Sequence, residues 1–192
     1  MALNITGDAR ADQLLTDDPF ALLVGMLLDQ QVTMETAFAG PAKIADRMGE
    51  FTPAAVAGAD PEEFVEVFRQ TPAVHRFPGS MAGRVQALAE IVRDEWGGDA
   101  AAIWTAPTDG GEAPTGADVL RRLKGLPGFG EQKAKIFLAL LGKQYGLTAE
   151  GWREAAGDYG VEGSCKSVAD IVDADSLARV REAKKAAKAK SK

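Results

Sequence analysis

The chain has 192 residues, 46% of them hydrophobic and 26% charged, with a formal net charge of −6. That length buries a core without disulfide or metal staples, and the composition is that of a globular chain rather than a disordered or fibrous one. No apolar run reaches the roughly 20 residues that span a bilayer, because the richest, from Phe20 to Leu28, stops at Asp29.

The opening MALNITGDAR lacks the basic and apolar regions of a secretory signal. The lone Cys165 forms no internal disulfide and no cluster-ligating set. A reducing, cytoplasmic location is the expectation, at the bacterial nucleoid if the protein acts on DNA.

Helix punctuation recurs along the chain, and period-2 alternation is nearly absent. Asp17-Asp18-Pro19 predicts a helix start, with proline where its missing N–H costs nothing. Thr52-Pro53 and Asp60-Pro61-Glu62-Glu63 repeat that signal, the latter with capping-box spacing. Ser80 precedes a stripe of Met81, Val85, Leu88, Val92 and Trp96, closed by Gly97-Gly98, which reads as a core-facing helix. Thr105–Gly116 is a Pro/Gly-rich loop, after which Thr115 and Asp118 cap a short helix carrying Val119, Leu120 and Leu123.

A hairpin, Leu126-Pro127-Gly128-Phe129-Gly130, leads into a helix burying Ile136, Phe137, Leu140 and Leu141. A weaker helix surrounds Trp152, residues 161–167 read as irregular, and a segment from Asp173 runs into the Ala/Lys-rich end. The expectation is an all-α protein.

The basic residues are concentrated at that end. Residues 179–192 hold seven of the 22 basic residues and one of the 28 acidic ones, Glu182. Positions 1–178 therefore keep 15 and 27, a net −12. Such a body repels phosphates over most of its surface, so any nucleic-acid contact must be local.

The hairpin is where such a contact fits. Pro127 stops the first helix. Gly128 and Gly130 permit positive φ and close backbone approach. Gly130 delivers the chain to a helix N-terminus, whose free amides and positive dipole end favour an anion such as a DNA phosphate. Lys124, Lys133 and Lys135 add charge nearby, and Phe129 can plug the hairpin into the core.

With apolar Leu123 and Leu126 before it and Ala134 and Ile136 after, this segment resembles the helix-hairpin-helix of the base-excision DNA glycosylase superfamily, which includes endonuclease III and alkyladenine glycosylases. Leu22 to Thr33 is similar to an early family helix ending in L-x-x-Q. Phe77 to Leu88 is similar to a small-residue turn entering a basic helix. Together the three segments cover about residues 18–145.

The resemblance implies a two-lobed helical fold of residues 1–178, with the hairpin at 118–142 and a basic tail at 179–192. One lobe would join the N-terminal residues to the C-terminal segment, and the other would hold the middle helices and the hairpin. It implies a monomer that binds damaged double-stranded DNA, flips a nucleotide and cleaves its N-glycosidic bond hydrolytically with a carboxylate. DNA contacts fall on Leu126, Pro127, Gly128, Phe129, Gly130, Gln132, Lys133 and Lys135. Gln31, with Gln30 beside it, is the wedge candidate, and Asp29 is a candidate pocket acid.

Three departures limit the carry-over. Family members that also cut the backbone carry a lysine two residues after the second hairpin glycine, where this chain has Gln132. Lys133 lies about 100° further round the helix, so a Schiff-base lyase is not expected. One cysteine excludes the family's iron–sulfur cluster, leaving at most a monovalent cation at the hairpin as cofactor. The family's catalytic aspartate has no clean counterpart, and Asp158 and Glu150 are the candidates. His75, the only histidine, reads as packed or as a surface residue.

Two other readings stand beside this one. The first is a helix-hairpin-helix DNA-binding protein that has lost catalysis. The second is an acidic interaction module whose tail binds an acidic partner.

Overall fold

The computed structural model describes residues 2–190, and every regular element among them is a helix. α1 (Ala9–Asp17) starts at Asp8, whose carboxylate accepts the amides of Arg10 and Ala11. Asp18 then caps α2 (Pro19–Leu28) by accepting the Phe20 N–H, with Pro19 in the first turn.

α2 is buried from Phe20 to Leu28 without a break. A helix that is apolar all round needs cover on every side. α1, α3 (Met34–Phe38), α4 (Gly40–Met48) and α7 (Pro78–Glu95) supply it. α5 (Pro53–Gly58) and α6 (Pro61–Arg69), capped by Thr52 and Asp60, pack on α7. α7 begins at Pro78, ahead of the predicted Ser80 start, because the proline ring is already set for a first helical turn. Its stripe buries Met81, Val85, Leu88 and Val92.

α8 (Ala102–Thr105) precedes the Pro/Gly-rich loop. α9 (Gly116–Lys124) opens with a reciprocal capping box between Thr115 and Asp118. α10 (Glu131–Gln144) forms the second arm of the hairpin, followed by α11 (Trp152–Ala156) and 3-10 turns at Gly157–Tyr159 and Val168–Asp170. α12 (Ala174–Lys190) closes the described chain.

α9, α11 and both 3-10 turns pack on α10, and α12 packs on the Val168–Asp170 turn. The hairpin thus groups with C-terminal elements, whereas the middle helices α5–α7 group with α2. That grouping differs from the expected lobes. Asn4 does reach the C-terminal segment, its Nδ2 donating to the Val172 carbonyl at 3.2 Å.

The irregular segment 161–167 is held by a polar clip. Lys143 Nζ donates to Val161 O, Ser164 Oγ and Asp170 Oδ1 at 2.8, 3.1 and 2.6 Å. α12 runs unbroken across residue 179, with Ser176 and Val180 buried on either side of it. The basic end is therefore an extension of a docked helix through Lys190, and the last tail lysine, Lys192, lies outside the described residues.

Candidate nucleic-acid interface

The hairpin spans Gly125–Gly130 between α9 and α10. Leu126 and Phe129 are buried, and Phe129 meets Phe137 edge-on at 5.9 Å. Both were expected among the DNA contacts. Their burial makes their side chains anchors that shape the loop. Gly128 has φ +77°, and a Cβ there would lie 2.5 Å from Leu27 Cδ1 on α2. Both the backbone conformation and the close approach to α2 therefore require glycine at this position.

Gly130 has φ −71° and does not use the positive φ that glycine permits. It is the residue before α10, no side chain caps that helix, and a Cβ there would meet nothing within 4 Å. The first-turn amides of α10 therefore lack helical partners and face open space. Glu131 pairs with Lys135 at 2.8 Å and lies 3.7 Å from Lys124, which offsets the charge expected from those lysines. The hydrogen bond from Lys135 holds the Glu131 carboxyl below its ordinary value.

Gln132 is exposed, and its Nε2 donates to the Tyr159 hydroxyl at 2.8 Å. One residue on, Lys133 turns inward, away from the phosphate side where it was expected. Its Nζ donates to the carbonyls of Met26 and Leu27 at 2.8 and 3.0 Å. These belong to the last turn of α2, at the negative end of the helix dipole, where a cation is favoured. Burial pulls the Lys133 amine down to about 8, against the pull of Asp29. Arg84 pushes it further down.

Asp29 ends α2 and is half-buried. Burial raises its carboxyl above the ordinary value, Lys184 and Lys133 oppose that rise, and Glu35 adds to it. Gln30 is fixed on three sides. Its Nε2 donates to Leu27 O at 2.8 Å, its Oε1 accepts from Arg84 at 2.7 Å, and its carbonyl bonds the His75 ring at 2.9 Å.

The Phe77 amide donates to His75 Nδ1 at 3.1 Å, so Nε2 carries the proton that reaches Gln30. Burial keeps this histidine below its ordinary value, and its part is to brace the loop. Gln31 contrasts with Gln30. It is exposed, makes no side-chain hydrogen bond among the described residues, and is the single non-glycine there with positive φ, +58°. Strained backbone of this kind concentrates at functional sites. Phe77, next to His75, is 41% exposed, with the Arg76 guanidinium 4.9 Å from its ring centre.

The two carboxylates expected to be catalytic do not join this cluster. Asp158 lies in the Gly157–Tyr159 turn with its side chain 80% exposed, paired to Lys166 at 2.9 Å. That hydrogen bond holds its carboxyl low. Glu150 is exposed in a turn, where its backbone carbonyl accepts the Gly116 amide at 2.7 Å. A solvated carboxylate exerts a weak field, so neither has the setting that a charge-stabilising group needs.

The sequence reading missed Arg84, Glu35, Arg181 and Lys184. Arg84 lay within a segment already singled out. Glu35 carried no signal, and Arg181 and Lys184 were read only as part of the basic tail, since an ion pair between Arg181 and Glu35 joins positions 146 residues apart. No group of three or more metal-binding side chains occurs among the described residues.

An all-helical chain with a Pro-Gly hairpin opening onto an uncapped helix N-terminus is a helix-hairpin-helix protein. Residues 24–191 match the model of the HhH-GPD superfamily base excision DNA repair proteins, and the chain belongs to that superfamily. No curated protein matches it. Among solved structures it resembles a trapped endonuclease III–DNA covalent intermediate, an estranged-adenine complex, at 19% identity and a TM-score of 0.44. The match covers 66% of this chain and 53% of that one, so the chain spans about half of that protein's length.

Proposed function

We propose that this chain is a monofunctional DNA glycosylase, which docks duplex DNA on the hairpin and breaks the N-glycosidic bond of a damaged base. The observation that carries the reading is half-buried Asp29 at the end of α2, directly after the turn whose Met26 and Leu27 carbonyls hold the Lys133 ammonium at the start of α10.

A strand phosphate docks on the amides after Gly130, where a monovalent cation at the hairpin carbonyls would assist. Gln31, unbonded and exposed, enters the stack as the target nucleotide leaves it, and Phe77 offers a second apolar face. Ionised Asp29 stabilises the oxocarbenium-like sugar as the base departs, and water completes the hydrolysis. Partial burial strengthens that field, because water no longer screens it. The cations of Lys133 and Lys184 keep the carboxylate charged. Activity falls as pH drops through the raised pKa of Asp29.

Two observations support a monofunctional reaction. The position that would hold a lyase lysine is Gln132, bonded to Tyr159. The Lys133 amine is turned from the hairpin and engaged with the Met26 and Leu27 carbonyls at the end of α2.

Single-turnover assays on duplexes containing uracil, hypoxanthine, alkylated or oxidised bases test the reading. The expected result is free base and an abasic strand that breaks only in alkali. No release from any lesion at excess enzyme and low salt overturns the glycosylase. A borohydride-trapped adduct overturns the monofunctional part.

The outward positions of Asp158 and Glu150 favour one second reading, a DNA-binding protein without catalysis. It predicts tight binding to abasic or mismatched duplex that Gly130 substitution weakens, with no base released by the wild type.

A further inference from the structure

Arg181, Lys184 and Lys185 stand at i, i+3 and i+4, which places them along one side of α12. The start of that stripe is fixed against the site. Val180 and Ser176 are buried in the body, and Arg181 pairs with Glu35 on α3. Lys184, half-buried one turn further on, exerts the strongest opposing charge on Asp29. Lys185 is exposed and has no ion-pair partner among the described residues.

Arg181 is paired to Glu35, whereas Lys184 acts on Asp29 only through its charge and makes no hydrogen bond to it. Neither Lys184 nor Lys185 has an ion-pair partner among the described residues, on a molecule whose first 178 residues carry net −12. Surplus cations on an ordered helix, beside the point where the hairpin meets α2, suit a polyanion that runs past that point.

We propose that α12 is a second DNA-backbone-binding element, which places Lys184 and Lys185 on phosphates of the strand leaving the hairpin. The inference rests on the DNA-binding reading above and extends its footprint to the far side of Asp29. Neither residue reads base sequence in this role, so the contribution is the same for damaged and undamaged duplex.

Fluorescence anisotropy with one abasic and one undamaged duplex, across a salt series, compares wild type with Lys184→Gln/Lys185→Gln. Lys185 is exposed and Lys184 half-buried, and circular dichroism checks that the variant keeps its helix content. Each lost phosphate contact lowers the magnitude of the log K against log salt slope by about 0.9, so the double variant should lose about 1.8. The loss should be equal for the two duplexes. An unchanged slope in a variant that still binds overturns the α12 proposal alone. A wild type that binds neither duplex at low salt overturns the DNA-binding reading and this inference with it. Lost binding to polyglutamate, with duplex binding intact, overturns it in favour of an acidic protein partner.

Discussion

Burial works against the charge on both Asp29 and Lys133, and their attraction for one another works to keep it. Asp29→Asn preserves shape and removes the charge. Base release should fall by about 100-fold or more, while the thermal midpoint stays within a few degrees of wild type. A large loss of stability would make Asp29 a structural residue. Lys133 gives a separate readout in pH. Its folded pKa, about 8, lies below the ordinary 10.5. Between those values the unfolded chain binds more proton, so this residue adds stability as pH rises from about 8, and its burial cost is present in full below that. Urea midpoints at pH 7.5 and 10 should show that increment in wild type, and Lys133→Gln should lack it. Asp29 and Gln31 were legible in the sequence as polar residues ending an apolar run. Which glutamine is free was not, because it depends on Arg84 and His75 reaching Gln30 across the fold.

The hairpin combines two glycines with different physical duties. Gly128→Ala forces a side chain into positive φ and against Leu27, and should destabilise by about 1–3 kcal/mol. Gly130→Ala meets no internal atom, so its stability cost should be about 1 kcal/mol or less, that of a poorer helix cap. Its Cβ would occupy the space in front of the α10 amides, and duplex affinity should fall at least tenfold. Denaturant melts paired with anisotropy separate the two effects, and equal behaviour of both variants would refute the division. Elements whose signals are local were readable from the chain: the proline starts of α2, α5 and α6, the Thr115 capping box, the stripe of α7 and the hairpin itself. α3, α4 and α8 were not, since short helices with few caps are stabilised chiefly by the neighbours they pack on.

At the scale of the molecule, the candidate site exists because α2, α10 and α12 converge on one point. Ending the chain before Asp173 exposes the surface that Val180 covers and removes the cations facing Asp29 and Glu35. Calorimetry should show the midpoint lowered by roughly 4 °C or more. In any residual base release, the acid limb should move to higher pH, because Asp29 has lost a favourable charge. An unmoved limb would mean that α12 leaves the site's electrostatics untouched. The sequence by itself determined the helical class, the hairpin and its open helix end, and the absence of a lysine at position 132, because each is written in neighbouring residues whose backbone preferences act locally. Only the tertiary structure decided which carboxylate is desolvated and which cations face it. Desolvation and charge pairing depend on what packs around a group, and positions 29, 133 and 184 become neighbours only when the chain is folded.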